Sequence, residues 1–227
     1  MAEKNLSGKL VTLVLLLAVA MSASPVSAQS SGTEYPLVGR SRVELTLGAW
    51  AKPGGSETIA TGFGSVETRM GGMAGGLAFV HHLSEDLAMS VSAEGLLAEL
   101  TTRTSIGGVE TSNSSVSPVM VGVRYYWPRA SFGTKVRPFV SAALGSVIGN
   151  ESETTVGMQV LVESRTEVAM GGRLGIGVDF VISRHFMIGM HSGYNLMSDF
   201  SQSVGGRKNY SGAQINLGFS YAFGGGR

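Results

Sequence analysis

The sequence predicts an all-β fold: eight antiparallel strands, connected up and down and closed into a barrel. Three observations predict it. Stretches of about ten residues alternate apolar with small or polar side chains from Gly39 to Phe223, the spacing of a strand whose faces differ. No 3.6-residue helical period interrupts them. The connections between stretches alternate short and long, as in a meander with tight turns at one end and longer excursions at the other.

Before the first strand, Met1 to Lys9 carries two lysines and leads into the twelve-residue apolar run Leu10 to Met21, then into Ser22 to Ala28, which ends Val26-Ser27-Ala28. This is the pattern of a secretory signal peptide over 1–28, cleaved before Gln29; the run is short of the roughly 20 residues a membrane-crossing helix needs. No cysteine follows to carry a lipid anchor, and none occurs anywhere in the 227 residues, so disulfides, thiolate metal sites and cysteine nucleophiles are excluded. Residues 29–38 form a short segment ahead of the barrel, 39–223 the barrel, and 224–227 a tail.

The eight strands are expected at Gly39–Lys52, Glu67–Val80, Leu87–Thr102, Ser115–Trp127, Val136–Ile148, Glu167–Val181, Phe186–Ser198 and Tyr210–Phe223. In the first, Val43, Leu45, Leu47 and Ala49 alternate with Glu44, Thr46, Gly48 and Trp50. In the fourth, Val119, Val121, Val123, Tyr125 and Trp127 oppose Met120, Gly122, Arg124 and Tyr126. The sixth sets Val168, Met170, Leu174, Ile176, Val178 and Phe180 against Ala169, Gly171, Arg173, Gly175, Gly177 and Asp179. The last is the clearest, with Ala213, Ile215, Leu217, Phe219, Tyr221 and Phe223 on one face. Short connections are expected at His81–Asp86, Pro128–Lys135 and Ile182–His185, and long polar loops at Pro53–Val66, Arg103–Ser114, Gly149–Thr166 and Asp199–Asn209. The glycine-rich run Met70 to Gly76 lacks the Lys-Ser/Thr ending of a phosphate loop and reads as a strand whose small residues make room for larger ones across the barrel.

Charge decides which face points outward. Asp, Glu, Lys and Arg make up 15% of the chain, against about 25% in ordinary soluble domains, and cleavage of 1–28 leaves equal numbers of acids and bases. A neutral chain lacks the electrostatic footprint of a nucleic-acid binder. The non-apolar face is mainly Gly, Ala, Ser, Thr and Asn, not the Lys and Glu that a water-exposed face requires. Its ionisable members, Glu44, Glu94, Arg124, Arg137, Arg173 and Asp179, balance three against three and are expected to form a charge network in the lumen. A lysine or arginine on a lipid face costs about 2 to 4 kcal/mol at the bilayer midplane, so these charges turn inward. The apolar face then meets lipid. Phe79, Tyr125, Trp127, Phe180, Phe186, Phe219, Tyr221 and Phe223 all fall near the short-turn ends of their strands and are expected to form an aromatic girdle at one membrane interface. Hydrocarbon cannot satisfy an open sheet edge, so the barrel must close.

With these residues in place, Gly39 to Phe223 resembles the small eight-stranded outer-membrane barrels of Gram-negative bacteria, of the OmpA, OmpX and opacity-protein type. The most specific match is Asn216-Leu217-Gly218-Phe219-Ser220-Tyr221-Ala222-Phe223, in which Asn216, Gly218, Tyr221 and Phe223 fit that family's C-terminal assembly signal; here Gly224-Gly225-Gly226-Arg227 follows the final aromatic. The resemblance implies a monomer in the bacterial outer membrane, with its amino end and short turns in the periplasm. It also implies contact with outer-membrane lipids and lipopolysaccharide, and reading by the outer-membrane assembly machinery. No OmpA-type peptidoglycan-binding domain, and so no wall anchoring, is expected.

Little chemistry is expected. His81 and His82 read as solvated turn residues, His185 begins another turn, and His191 lies in the seventh strand without metal-ligand spacing. The resemblance raises lipid A deacylases, barrels whose His and Ser share a face; His191 and Ser192 are adjacent and face opposite ways, leaving the serine without a base. No catalytic residue, cofactor or metal is expected. The function expected is structural or surface-interactive, without a wide pore, because eight strands enclose an interior that side chains fill. The alternatives are adhesion to a host or neighbouring-cell surface through the long loops, above all Asn150–Arg165 with Glu151, Glu153 and Glu163, or a narrow channel. A lipid A-modifying enzyme ranks last.

Overall fold

The computed structural model describes residues 37–61, 64–105, 108–127, 135–156 and 160–224. The signal peptide expected over 1–28, most of the 29–38 segment and the last three tail residues lie outside them. Eight strands, β1 (Arg40–Thr61), β2 (Gly64–His82), β3 (Leu87–Ser105), β4 (Gly108–Tyr126), β5 (Val136–Val156), β6 (Val160–Val181), β7 (Phe186–Met197) and β8 (Gly212–Gly224), close in sequence order into one antiparallel barrel. β1 and β8 seal it through Arg40↔Gly224 to Ala51↔Ala213.

Alternation sets the faces. Leu45, Leu47, Leu174, Ile176, Ile215 and Leu217 stand exposed on the outer wall, while Arg42, Glu44, Thr46, Gln214, Asn216 and Ser220 are buried inside. This inverts a soluble barrel. The exposed apolar wall is stable where hydrocarbon replaces water, and there a closed ladder satisfies the backbone.

The wall is uneven in height. β7 and β8 have 12 and 13 residues, close to the roughly 9–11 that cross a bilayer at the usual tilt, whereas β1 and β6 have 22 each. Three segments expected as long loops, Pro53–Val66, Arg103–Ser114 and Gly149–Thr166, are therefore largely strand. Their polar sequences hid this, since a hairpin standing beyond the membrane has water on both faces and no apolar alternation. Ladders β3–β4, β4–β5 and β5–β6 continue to Ser105↔Gly108, Val109↔Val156 and Val156↔Val160. The neighbouring β2–β3 ladder stops at Ala74↔Leu96 and β6–β7 at Gly171↔Met197. Beyond the barrel, β3 to β6 thus form a four-stranded sheet, with the β1–β2 hairpin beside it.

The fourth long connection, between β7 and β8, is not strand. Val204 and Arg207 exchange backbone hydrogen bonds of 2.7 and 3.1 Å across Gly205 and Gly206, whose φ values of 56° and 73° make a tight reversal that side-chain-bearing residues rarely adopt. This loop turns inward over the low side of the wall.

His81 and His82 are a further correction: they end β2 instead of lying in a turn, and both are buried.

Candidate functional site

Three layers of side chains cross the lumen. Nearest the short turns is an ionic layer. Arg42 Nη2 donates to Asp179 Oδ2 at 2.7 Å and to the Tyr126 hydroxyl at 3.1 Å, and lies 3.4 Å from Glu44; the Tyr126 hydroxyl in turn donates to Asp179 at 2.9 Å. Arg124 grips Glu44 with two parallel bonds of 2.9 and 3.1 Å, the fork geometry that suits guanidinium to carboxylate. His191 Nε2 stands 3.6 Å from the other side of the Glu44 carboxylate. Rings pack this layer: Arg124 lies over Phe139, and Arg137 over Tyr126. At the layer's edge, Arg137 donates to the Glu85 carbonyl at 2.6 Å and reaches its carboxylate at 3.3 Å.

The second layer is a closed ring of hydrogen bonds. Arg173 pairs with Glu94 through two nitrogens and donates from Nε to Asn195 at 2.6 Å. Asn195 donates to Gln214 at 2.8 Å, and Gln214 donates back to Glu94 at 2.6 Å. The ring joins β3, β6, β7 and β8, so it ties together strands far apart in sequence. Gly76 lets β3 approach this closely: a Cβ there would lie 2.5 Å from the Ala93 carbonyl oxygen and 2.6 Å from the Glu94 Cγ, so a side chain at this position would collide with both the β3 backbone and Glu94.

The third layer, toward the long hairpins, is apolar: Trp50, Leu96, Val116, Met120 and Val147 from the wall, with Phe200, Val204 and Tyr210 brought in by the β7–β8 connection. Phe200 and Val204 are 2% and 0% exposed, which makes this connection a cap on the lumen. Gly149 lets the cap seat, because a Cβ at that position would meet Val204 at 2.8 Å and Phe200 at 3.0 Å. The cap is held from the side by Arg165, which bonds Gln202 and Glu151 at 2.6 Å each and the Ser203 carbonyl.

Of the six charges expected in the lumen, Glu44, Arg124 and Asp179 meet in the first layer and Glu94 and Arg173 in the second. Arg137 stands apart, its carboxylate partner being Glu85 of a short turn. Arg42, which joins Asp179 to Glu44, was missed by sequence reasoning although it sits two residues before Glu44 and hence on the same face.

Outside, Tyr125, Trp127, Phe180, Phe186, Phe219, Tyr221 and Phe223 are exposed. Phe79 is half-buried and packs 6.4 Å from Phe223. Phe186 meets Tyr221 edge-on at 5.4 Å, and Tyr125 meets Trp127 at 6.4 Å. In the last strand, Asn216 and Gly218 point inward and Tyr221 and Phe223 outward. His191 faces the lumen while Ser192 is exposed on the outer wall, so the two do not assemble a nucleophile and base.

An inward ionic lumen beneath a largely apolar exterior is the construction of a membrane-spanning barrel, and a family model described as outer membrane protein beta-barrel domain matches residues 13–223. The chain belongs to that family. It is a β-barrel of the Gram-negative bacterial outer membrane. Solved structures are similar to the chain at low identity. Ail, the attachment invasion locus protein of Yersinia pestis, solved with the heparin analogue sucrose octasulfate, matches at 13% identity and a TM-score of 0.50, over 81% of this chain and 98% of that one. Neisserial surface protein A matches at 14% and 0.47, over 81% and 97%. OprG from Pseudomonas aeruginosa matches at 14% and 0.47, over 85% and 100%. No curated protein matches the chain.

Proposed function

We propose that this outer-membrane barrel works through its surfaces and not through its lumen, as a closed structural element that holds an ordered sheet above the membrane. One observation carries this reading: ionic, hydrogen-bonded and apolar layers succeed one another across the lumen, and the last is sealed by Phe200 and Val204. Opening a path means separating buried ion pairs, each of which is strongly destabilising to break. Single-channel recording in a planar bilayer is expected to show no discrete conductance; well-defined steps would overturn the reading.

In this proposal the short turns and amino end face the periplasm, and the long hairpins face outward. Tyr125, Trp127, Phe186 and Tyr221 anchor the inner interface as part of the aromatic girdle, where amphipathic rings favour the headgroup region. Lipopolysaccharide and phospholipid are its immediate surroundings. Asn216, Gly218, Tyr221 and Phe223 present the strand that the assembly machinery reads, and the barrel acts as a monomer.

A second reading, adhesion, is favoured by the β3–β6 sheet itself, because a strand-built projection presents side chains at less ordering cost than a free loop. The β5–β6 hairpin carries Glu151, Glu163 and Glu167 against Arg165, an acidic surface suited to a basic partner on another cell. Removing 150–166 and closing the gap with a two-residue turn is expected to leave the barrel folded and to lower attachment of expressing cells. Unchanged attachment removes the adhesion reading and leaves the structural one standing.

A further inference from the structure

β6 rises beyond the barrel with one side unpaired. Its ladder with β7 ends at Gly171↔Met197, while its ladder with β5 runs on without a register shift to Val156↔Val160. Met170 shows which way the backbone faces: its carbonyl accepts from the Ser198 N–H at 2.9 Å and its N–H donates to the Ser198 hydroxyl at 3.1 Å, both on the side away from β5. In an antiparallel strand that direction recurs at every second residue. Val162, Ser164, Thr166 and Val168 therefore aim their N–H and C=O groups at the open side, where these have no hydrogen-bond partner among the described residues. The residues between them pair with β5. The β7–β8 cap leaves this edge bare, because it reaches β6 above Met170 through the inner-face side chains of Arg165 and Glu167.

Open edges are ordinarily guarded by bulges, prolines or charge. Two other strands that rise beyond the barrel with an unpaired side are interrupted: β1 slips register between Ala51 and Ser56, around Pro53, and β3 between Leu97 and Glu99. β6 has neither bulge nor proline from Val160 to Met170. Its guard is charge of one sign. Glu163 is exposed and forms no ion pair among the described residues, and Glu167 has the Gln202 N–H, at 3.4 Å, as its partner. Arg165, between them, is taken by Glu151 and the cap. A second copy of the chain would bring the same acids to the edge and be repelled, whereas a strand carrying lysine or arginine is attracted.

We infer that this edge of β6 accepts an extended, basic segment of another protein as an added strand. Main-chain bonds to Val162, Ser164, Thr166 and Val168 hold the segment, and cationic side chains beside Glu163 and Glu167 select it. The inference rests on the projecting sheet acting as a contact surface, and names the chemistry of what it contacts.

The probe is a synthetic peptide that alternates lysine with valine or threonine, titrated calorimetrically into the full chain in a zwitterionic detergent. Saturable one-to-one binding is expected, weakened by roughly tenfold or more in Ser164→Pro and unchanged in Ser164→Ala. Proline at 164 removes a donor from the open edge without taking a bond from the β5 ladder, and alanine keeps that donor. Glu163→Gln is expected to weaken binding by a smaller factor. The same peptide N-methylated on alternate residues cannot donate toward β6 and is expected not to bind, which tests the edge in the parent chain should Ser164→Pro fail to fold by heat-dependent gel mobility. No saturable binding, equal binding of the N-methylated peptide or undiminished affinity in folded Ser164→Pro would each overturn the inference. So would self-association of the parent that Ser164→Pro abolishes, since the occupant would then be a second copy. Attachment assays separate the inference from adhesion itself. If removing 150–166 lowers attachment and Ser164→Pro does not, adhesion stands and strand addition falls; if the peptide binds as expected while removing 150–166 leaves attachment unchanged, the edge stands and adhesion falls.

Discussion

The two ends of the lumen are closed by different physics. Near the short turns the seal is ionic: Arg42, Glu44, Arg124, Tyr126 and Asp179 come from β1, β4 and β6 and are locked by directional bonds. Near the long hairpins it is apolar, and a large part of it is supplied by one loop, through Phe200 and Val204. The ionic end has strands as its scaffold and cannot yield one member without stranding another. The apolar end rests on a connection that strand pairing does not hold. A membrane barrel has no water-driven collapse across its outer wall, so specificity for one closed arrangement falls to the interior. Here that interior is rigid at one end and removable at the other.

The sharpest way to break the contrast is Asp179→Leu. It leaves the fully buried Arg42 with Glu44 at 3.4 Å as its remaining carboxylate and takes away the acceptor of Tyr126. The expected loss is about 3 to 5 kcal/mol, the cost of uncoupling one partner of a buried pair, read from urea unfolding in lipid vesicles. Arg42→Met in the same chain is expected to restore part of it, since the stranded charge is then gone. An unchanged midpoint for Asp179→Leu would mean that water reaches this layer and that the two ends do not differ.

Phe200→Ala comes next. Full burial of a phenylalanine gives about 3 to 5 kcal/mol on truncation in a rigid core, but a loop can settle into the space it vacates, so a loss of about 2 kcal/mol is expected. The more telling readout is local. Trp50 lies in the same apolar layer, so with Trp127→Phe as background its fluorescence reports the seal alone. Acrylamide is expected to quench it several times faster in the Phe200→Ala chain. Equal quenching would show that Trp50 is shielded without the cap.

The same contrast explains what the sequence makes legible. Within the membrane one face must be apolar, so period-two alternation survives and β8 can be read from Ala213 to Phe223 almost residue by residue. Parity also puts Glu44 and Arg124 on inner faces, where they stand 2.9 Å apart. It held the signal for Arg42 and His82 as well, each an even number of residues from an inward neighbour on its own strand, but Arg42 fell before the point where apolar alternation becomes clear. Above the membrane the rule lapses, which is why the hairpin ends of β1 to β6 read as loops. The cap obeys no period. Phe200, Val204 and Tyr210 are scattered among Ser, Gly and Asn, and only the short height of β7 and β8 brings them over the lumen.

The smallest expected effect separates the latch from the seal. Arg165 joins the cap to the tall β5–β6 hairpin through Gln202, Ser203 and Glu151, yet its side chain is 40% exposed. Exposed ion pairs contribute about 0.5 kcal/mol, so Arg165→Gln is expected to leave the global unfolding midpoint within error. Its effect belongs to the loop. Arg207 and Lys208 follow the tight reversal at Gly205 and Gly206, and trypsin must pull this segment away from the wall before it can cut there. If the guanidinium is what ties the loop to the hairpin, limited trypsinolysis will nick the variant after Arg207 or Lys208 a few times faster than the parent at equal global stability. A nicking rate that does not change would assign the loop's hold entirely to Phe200 and Val204, making the apolar seal self-sufficient.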